Sequence, residues 1–300
     1  MTSNELPGTM NGPALGIIVR ALVRRVTDMA RQRLSDFAVY DKPVAGRTGQ
    51  DIVTSIDLRA QEMYVALLKE CFPGYGIVGE EENLRVPCTN DQDIWFTVDP
   101  IDGTKALARR QSHGIATMVS LVHKGKVVAS FIGDIMTGEV FYHRPGSIQV
   151  HRQMPTDNVQ VTNLEPNNRA LIDQRLLLRD NPLDLPEALQ RLCLTTKNCS
   201  RVMFSDIEVT GGSIGCMFAR LWKQEVGGLL LLAGQTTPWD LMPLIGPCRL
   251  LEYSWLQLQY ETTDRLTAAG WTHIITPMKQ HLPDLLVIPH GRVAEVLDRL

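Results

Sequence analysis

Four acidic positions in this chain stand where loops meet regular elements. They are Asp51 in Asp51-Ile52-Val53-Thr54, Glu80 in Gly79-Glu80-Glu81, the pair Asp99 and Asp102 in Asp99-Pro100-Ile101-Asp102-Gly103-Thr104, and Asp240 in Pro238-Trp239-Asp240. The third run carries the most chemistry. A β-rich run over Ile94 to Val98 delivers Asp99 to a strand end, and Pro100, lacking an N–H, predicts that strand pairing stops there. Two carboxylates three apart can then converge, with the Ile101 carbonyl between them. Gly103 permits close backbone approach, and Thr104 is suited to begin a helix. Such oxygens are hard ligands for a small dication, typically at roughly 2.0–2.1 Å. The N–H groups of a following helix start can hold an anion, and phosphate suits that position. A cation site beside an anion site is what phosphate-ester hydrolysis requires. An isolated Asp-Gly reads as a surface turn, but five specified residues in order arise by chance with a probability on the order of 10⁻⁴ in a chain of average composition.

These positions need elements to hold them. Apolar residues recur at Leu15, Ile18, Leu22, Val26, Met29 and Phe37 after Asn11-Gly12-Pro13, which predicts a long amphipathic helix with an Asn cap and a first-turn Pro. A second helix follows Thr54-Ser55, with a stripe through Ile56, Ala60, Met63, Tyr64, Leu67, Leu68 and Cys71, stopped by Pro73-Gly74. Residues 42–50 read as a flexible loop. In it, Lys42 and Arg47 could fold over a phosphate or metal as a lid, or simply solvate the loop. Strand-like runs near 115–122, 126–133 and 138–143, with turns at Lys124-Gly125 and Thr137-Gly138, predict an antiparallel meander.

Beyond a polar stretch at 146–166, short apolar strands alternate with helices. The strands lie around Leu176–Leu178, Arg201–Phe204, Leu229–Leu232 and Leu285–Ile288, and the helices over Ser213–Lys223 and Arg292–Leu300. That alternation predicts an α/β lobe. The expected organisation is an N-terminal α+β lobe over 14–150 carrying most acidic motifs and a C-terminal α/β lobe over 151–300 contributing Asp240.

Composition narrows the function classes. The chain is 44% apolar and 21% charged with a net charge of −3, so it is globular and has no broad attraction for nucleic acid or anionic membrane. The six cysteines contain no C-x-x-C pair, which predicts free thiols in a reducing compartment. The first thirteen residues do not form a secretory n-region, and Arg20, Arg24 and Arg25 interrupt the apolar stretch that follows. A cytoplasmic enzyme with no membrane or nucleic-acid polymer as partner is the expectation.

Asp99-Pro100-Ile101-Asp102-Gly103-Thr104, with Gly79-Glu80-Glu81 upstream and Trp239-Asp240 downstream, resembles the inositol monophosphatase superfamily, which includes fructose-1,6-bisphosphatases, 3'(2'),5'-bisphosphate nucleotidases and histidinol-phosphate phosphatases. The resemblance implies a layered αβαβα sandwich and hydrolysis of a small phosphorylated metabolite with two or three Mg²⁺ ions. Glu80, Asp99 and the Ile101 carbonyl would bind a first metal, and Asp99, Asp102 and Asp240 a second. Thr104 would orient the attacking water, and Asp51 would support a third metal or that water. The N–H groups of Gly103 and Thr104 would grip the phosphate. Glu81 would stand behind the ligands, Glu82 would be a surface charge, and Asp57 would cap the second helix or complement its dipole. The family further implies lithium sensitivity and a homodimer.

The sequence also departs from the family. Where small residues usually follow Trp-Asp, it has Leu241-Met242-Pro243-Leu244-Ile245-Gly246-Pro247, and two prolines about one turn apart predict a kinked or interrupted helix. The stretch Leu232-Ala233-Gly234-Gln235-Thr236-Thr237 lacks the acid with which inositol monophosphatases accept ring hydroxyls. Lys105 resembles the nucleotidase branch. Arg109 and Arg110 read as exposed charges, with a second substrate phosphate as the alternative. Gly211-Gly212-Ser213 either borders the substrate or shapes a tight strand-to-helix turn. Trp222, Trp255 and Trp271 read as packing residues. The substrates thus left open are sugar or polyol phosphates, histidinol phosphate and adenosine 3',5'-bisphosphate. An alternative of another class is a partner-binding regulatory protein that keeps the fold.

Overall fold

The computed structural model describes residues 6, 11–42, 51–156, 160–179, 181–182, 185–193, 203–262 and 266–300. Arg47 and most of the predicted 42–50 loop lie outside them, as do Arg201 and Val202.

Helix α1 (Gly12–Gln32) begins where expected: the Asn11 side chain accepts from Ala14 N at 2.9 Å, and Pro13 sits in the first turn. It ends before Phe37, whose ring lies instead beneath the Arg110 guanidinium, 5.8 Å from the centroid. A hairpin of β1 (Val39–Lys42) and β2 (Asp51–Thr54) leads into α2 (Ser55–Cys71), so Lys42 closes a strand rather than opening a loop. Thr54 and Asp57 form a reciprocal capping box at the start of α2.

The first sheet follows. Its strands are β3 (Gly76–Gly79), β4 (Arg85–Val86), β5 (Ile94–Asp102), β6 (Ala116–His123), β7 (Lys126–Asp134), β8 (Val140–His143), β9 (Val150–Gln153) and β10 (Val161–Leu164), in the order β10-β9-β8-β7-β6-β5-β3-β4. The meander of β6, β7 and β8 is as predicted. It continues through β9 and β10, inside the stretch read from its polarity as a lobe boundary; β10 is an edge strand with three exposed residues, which explains the missing apolar signal. Strand β5 also runs past Pro100. Its register against β6 shifts between Asp99 and Asp102, so the proline sits in an irregularity where its absent N–H is not needed by the ladder. The short α3 (Thr104–Ala108) follows directly.

In the second half come β11 (Arg175–Leu178), α4 (Glu187–Cys193), β12 (Asp206–Val209), α5 (Ile214–Trp222), β13 (Gly228–Leu231), β14 (Gly234–Thr236), α6 (Pro238–Leu250), β15 (Tyr253–Tyr260), β16 (Leu266–Gly270), β17 (Gln280–Leu282), β18 (Leu285–Pro289) and α7 (Val293–Leu297). Six strands form the second sheet, β12-β11-β13-β18-β15-β16, parallel only at β11 with its two neighbours. Strand β12 begins at Asp206, after the apolar Met203 and Phe204 that were expected in it; those two are buried core residues.

Three apolar clusters define the layers. Leu15, Val19 and Tyr64 of α1 and α2 pack on Phe96 and Phe131 of the first sheet. On its other face, Met118 and Ile132 meet Phe218 and Met242 of α5 and α6, which rest in turn on Leu229 and Val287 of the second sheet. Outside that sheet, Leu189 of α4 and Val296 of α7 cover Leu178 and Leu286. The result is the expected αβαβα sandwich.

Helix α6, in the middle layer, is not interrupted. It runs as one thirteen-residue element through Pro243 and Pro247. Each proline withholds one helical N–H, but sheets on both sides bury the helix nearly all round, and packing outweighs propensity. Gly246 is required there: a Cβ would lie 2.1 Å from His143 Cε1 on β8. No helix among the described residues is long and apolar enough to cross a membrane.

Candidate metal and phosphate site

The parallel pairing of β3 with β5 sets Gly79 against Val98, and Glu80 N donates to the Val98 carbonyl at 3.2 Å. Glu80, just past the end of β3, therefore lies beside Asp99 within β5. Gln61 of α2 braces the turn, accepting from Glu81 N and donating to the Glu81 carbonyl, each at 3.0 Å. Lys42 Nζ bridges Glu80 and Glu81, at 2.9 and 2.8 Å. Burial pulls the Lys42 ammonium down, but the two carboxylates outweigh it and hold the ammonium above its ordinary value. The Glu81 carboxyl is pushed up to about 7 by burial and by Glu80, against the pull of Lys42.

Asp99 is fully buried, and its Oδ1 has no hydrogen-bond partner among the described residues. Burial raises its pKa well above the ordinary range, and Glu80, Asp102 and Asp240 push it further. Asp102 Oδ2 accepts from Ser213 Oγ at 2.5 Å and from Gly215 N at 2.7 Å, bonds that offset part of the upward shift that burial causes. The second half of the chain thus holds the Asp102 turn in place. Gly103 has φ +92, and a Cβ there would meet the Gly114 carbonyl at 2.3 Å; Ser213 N donates to that same carbonyl at 2.9 Å. Gly211-Gly212-Ser213 does shape a tight turn into α5: both glycines have positive φ, and Ser213 caps the helix.

Asp240 sits in the first turn of α6, where Thr237 Oγ1 donates to its Oδ2 at 2.7 Å. Burial, then Glu80, raise its pKa to about 7. Trp239 beside it is buried, with the Arg85 guanidinium 5.4 Å from its ring centroid, which ties α6 to the edge of the first sheet.

The hydroxyl of Thr104 donates to Asp57 Oδ1 or to the Ile101 carbonyl, both at 2.9 Å. With one proton it serves one acceptor at a time. Asp57 is itself fixed by Thr54 through both backbone and side chain, and burial raises it to about 6. Asp51 makes a different contact, accepting from Ile52 N at 3.2 Å. The carboxylate that meets Thr104 is therefore Asp57, to which the sequence had assigned only the capping of α2 or a part in its dipole. The capping-box spacing was visible, but it accounts for only one of the two carboxylate oxygens. Glu82, Arg109 and Arg110 are exposed, as expected for surface charges, and Lys105 is exposed too.

Arg179 is the residue that sequence reasoning missed. It leaves the end of β11 and lines a cleft of about 300 Å³ together with Asp102 and Asp240. Its only sequence signal was its place one residue past an apolar strand run.

Among the described residues, no three His, Cys, Asp or Glu side chains are already gathered around a point that could hold a metal ion. Glu80, Asp102 and Asp240 each turn an oxygen to a protein partner. The donor set nonetheless fits a hard dication: buried carboxylates that destabilise one another's charge, one with an unpartnered oxygen, are what such an ion relieves.

The profile of the inositol monophosphatase family matches residues 15–242. The chain belongs to the inositol monophosphatase family. Among curated relatives of this family member, the Nus factor SuhB of Salmonella typhimurium is 29% identical over 133 residues, 43% of this chain and 46% of the relative. The chain thus spans about half the length of the curated relatives it matches. Two solved structures share the fold. The suhB extragenic suppressor protein of Bartonella henselae has a TM-score of 0.67 at 18% identity, covering 94% of this chain and 96% of that one. An IMPase/NADP phosphatase complexed with Mg²⁺ and phosphate has a TM-score of 0.62 at 17% identity, covering 95% and 94%.

Proposed function

We propose that this family member hydrolyses a small phosphomonoester, using two or three Mg²⁺ ions held by Glu80, Asp99, the Ile101 carbonyl, Asp102 and Asp240. The observation that carries this reading is that Glu80, Asp102 and Asp240, which with Asp99 come from three separate segments, all act electrostatically on the buried Asp99, whose Oδ1 has no hydrogen-bond partner among the described residues. Bound Mg²⁺ lowers the pKa of water and stabilises charge on attacking and departing oxygens. The chain's own residues do the positioning. With its proton given to Asp57, the Thr104 hydroxyl is left as an acceptor that can hold one O–H of the attacking water. Asp57 is in turn fixed by Thr54. Asp51, half-buried at the start of β2, keeps only a supporting part at the rim. Gly103 and Thr104 offer backbone N–H groups to the phosphate. Ser213 and Gly215 keep Asp102 oriented during the reaction. Lithium inhibition, a homodimer and a cytoplasmic location follow as expectations of the family.

Phosphate release from inositol 1-phosphate, fructose 1,6-bisphosphate, adenosine 3',5'-bisphosphate and histidinol phosphate, with Mg²⁺ and with EDTA, tests the reading. Chelator-sensitive release from any of them supports it, and the preferred compound selects the branch. A second reading rests on the relatives named Nus factors and on the unusual residues of α6: a fold kept as a platform for a protein partner. It expects no chelator-sensitive release from any compound.

A further inference from the structure

The cleft has two unlike walls. On one side stand Asp102 and Asp240. The other is built from the carboxyl ends of the parallel strands β11 and β13, the place where α/β sheets present ligand-contacting residues. There Arg179 follows β11, Leu231 ends β13, and Gln235 and Leu282 come from the small β14–β17 ribbon. Between Leu230 and Thr237 no acidic side chain occurs. A polyhydroxylated ring presents O–H donors that need acceptors, and a guanidinium has none to offer. It is instead a planar donor fork matched to carboxylate or phosphate. The Arg179 charge also reaches Asp102, where it offsets part of the burial that raises that carboxyl. It is therefore within electrostatic range of a group bound beside the carboxylate wall.

We propose that Arg179 is the specificity-determining residue of this cleft, selecting phosphomonoesters that carry a second anionic group on a body with few hydroxyls. The inference rests on the phosphatase reading. Its scissile phosphate lies at the carboxylate wall, its second anion pairs with Arg179, and its apolar portion rests on Leu231 and Leu282.

The test compares phenyl phosphate with its 2-, 3- and 4-carboxyphenyl counterparts in Mg²⁺, on the parent chain, Arg179→Gln and Arg179→Lys. A charge-assisted pair is worth roughly ten- to a hundredfold. At least one carboxylated isomer is expected to exceed phenyl phosphate in kcat/KM by about that factor, chiefly through KM. The ratio should collapse toward one in Arg179→Gln and recover in part in Arg179→Lys, with circular dichroism confirming the fold of both. A ratio near one in the parent, or one that survives in Arg179→Gln, overturns the proposal. If the parent hydrolyses none of the four, the phosphatase reading is decided by the metabolite panel above, and the role of Arg179 by binding. Calorimetric titration of the same compounds into the Mg²⁺-treated chain then decides the role of Arg179, and equal affinities overturn it.

Discussion

The two walls of the cleft are held by opposite means. The carboxylate wall of Asp102 and Asp240, with Asp99 and Thr104 behind it, is fixed by hydrogen bonds from Ser213, Gly215 and Thr237 and to Asp57. The Arg179 and Leu231 wall stands at strand ends, where the backbone geometry comes from the pairing of β11 with β13. Changes at the first wall should therefore reach chemistry and folding together. Changes at the second should redirect substrate choice at little cost to the fold.

The largest expected effect is at the first wall. Asp99→Asn should lower any chelator-sensitive phosphate release on the order of 10³-fold, and the rise in melting temperature that Mg²⁺ gives the parent should vanish with it. Retained turnover would remove Asp99 from the metal set. Gly103→Ala comes next. It combines a left-handed backbone with a contact of 2.3 Å to the Gly114 carbonyl, so denaturant unfolding should show a loss of about 2–4 kcal/mol. An unchanged midpoint would mean the turn can relax, and the contrast between the walls would weaken.

Ser213→Ala probes the seam between the two halves. It removes one of two bonds to Asp102 and should weaken Mg²⁺ binding, read by calorimetry, about 10–100-fold. A smaller change would mean Gly215 N suffices to orient the carboxylate.

The effect that is smallest near neutral pH, and grows only on acidification, lies away from both walls, at His143. Burial, with Arg249 and His151 nearby, pushes it down to about 3, so it is neutral in the fold but takes a proton near its ordinary 6.5 once unfolded. The unfolded chain binds more protons over that window. Stability from this group is full above pH 6.5 and declines as pH falls toward 3. His143→Leu should flatten the acid side of the stability–pH curve by up to about 1.4 kcal/mol per pH unit between pH 6 and 4. An unchanged slope would show that His143 is not the residue responsible.

How much of this was legible depended on whether the signal was local. Asn11 and Pro13 announced α1, and Thr54 with Asp57 announced α2, because capping is satisfied within four residues. The meander of β6 to β8 was readable from its turns. Pro100 and the prolines of α6 misled, since a missing N–H forbids pairing only where the ladder or the neighbouring layers cannot make up for it. The contact of Asp57 with Thr104 was not legible because a capping Asp has two oxygens, and only the approach of β5 to α2 shows where the second one goes.

The sequence by itself determined the inventory of the first wall: which carboxylates exist, in what order, with a glycine where the backbone must turn left-handed. Those requirements are met within a few residues, and short-range chemistry is written in residue type. Only the tertiary structure decided that Ser213 would hold Asp102 and that Arg179 would face it. Neither pairing has a spacing that could announce it, because contacts across the middle layer are fixed by how two sheets pack on α5 and α6.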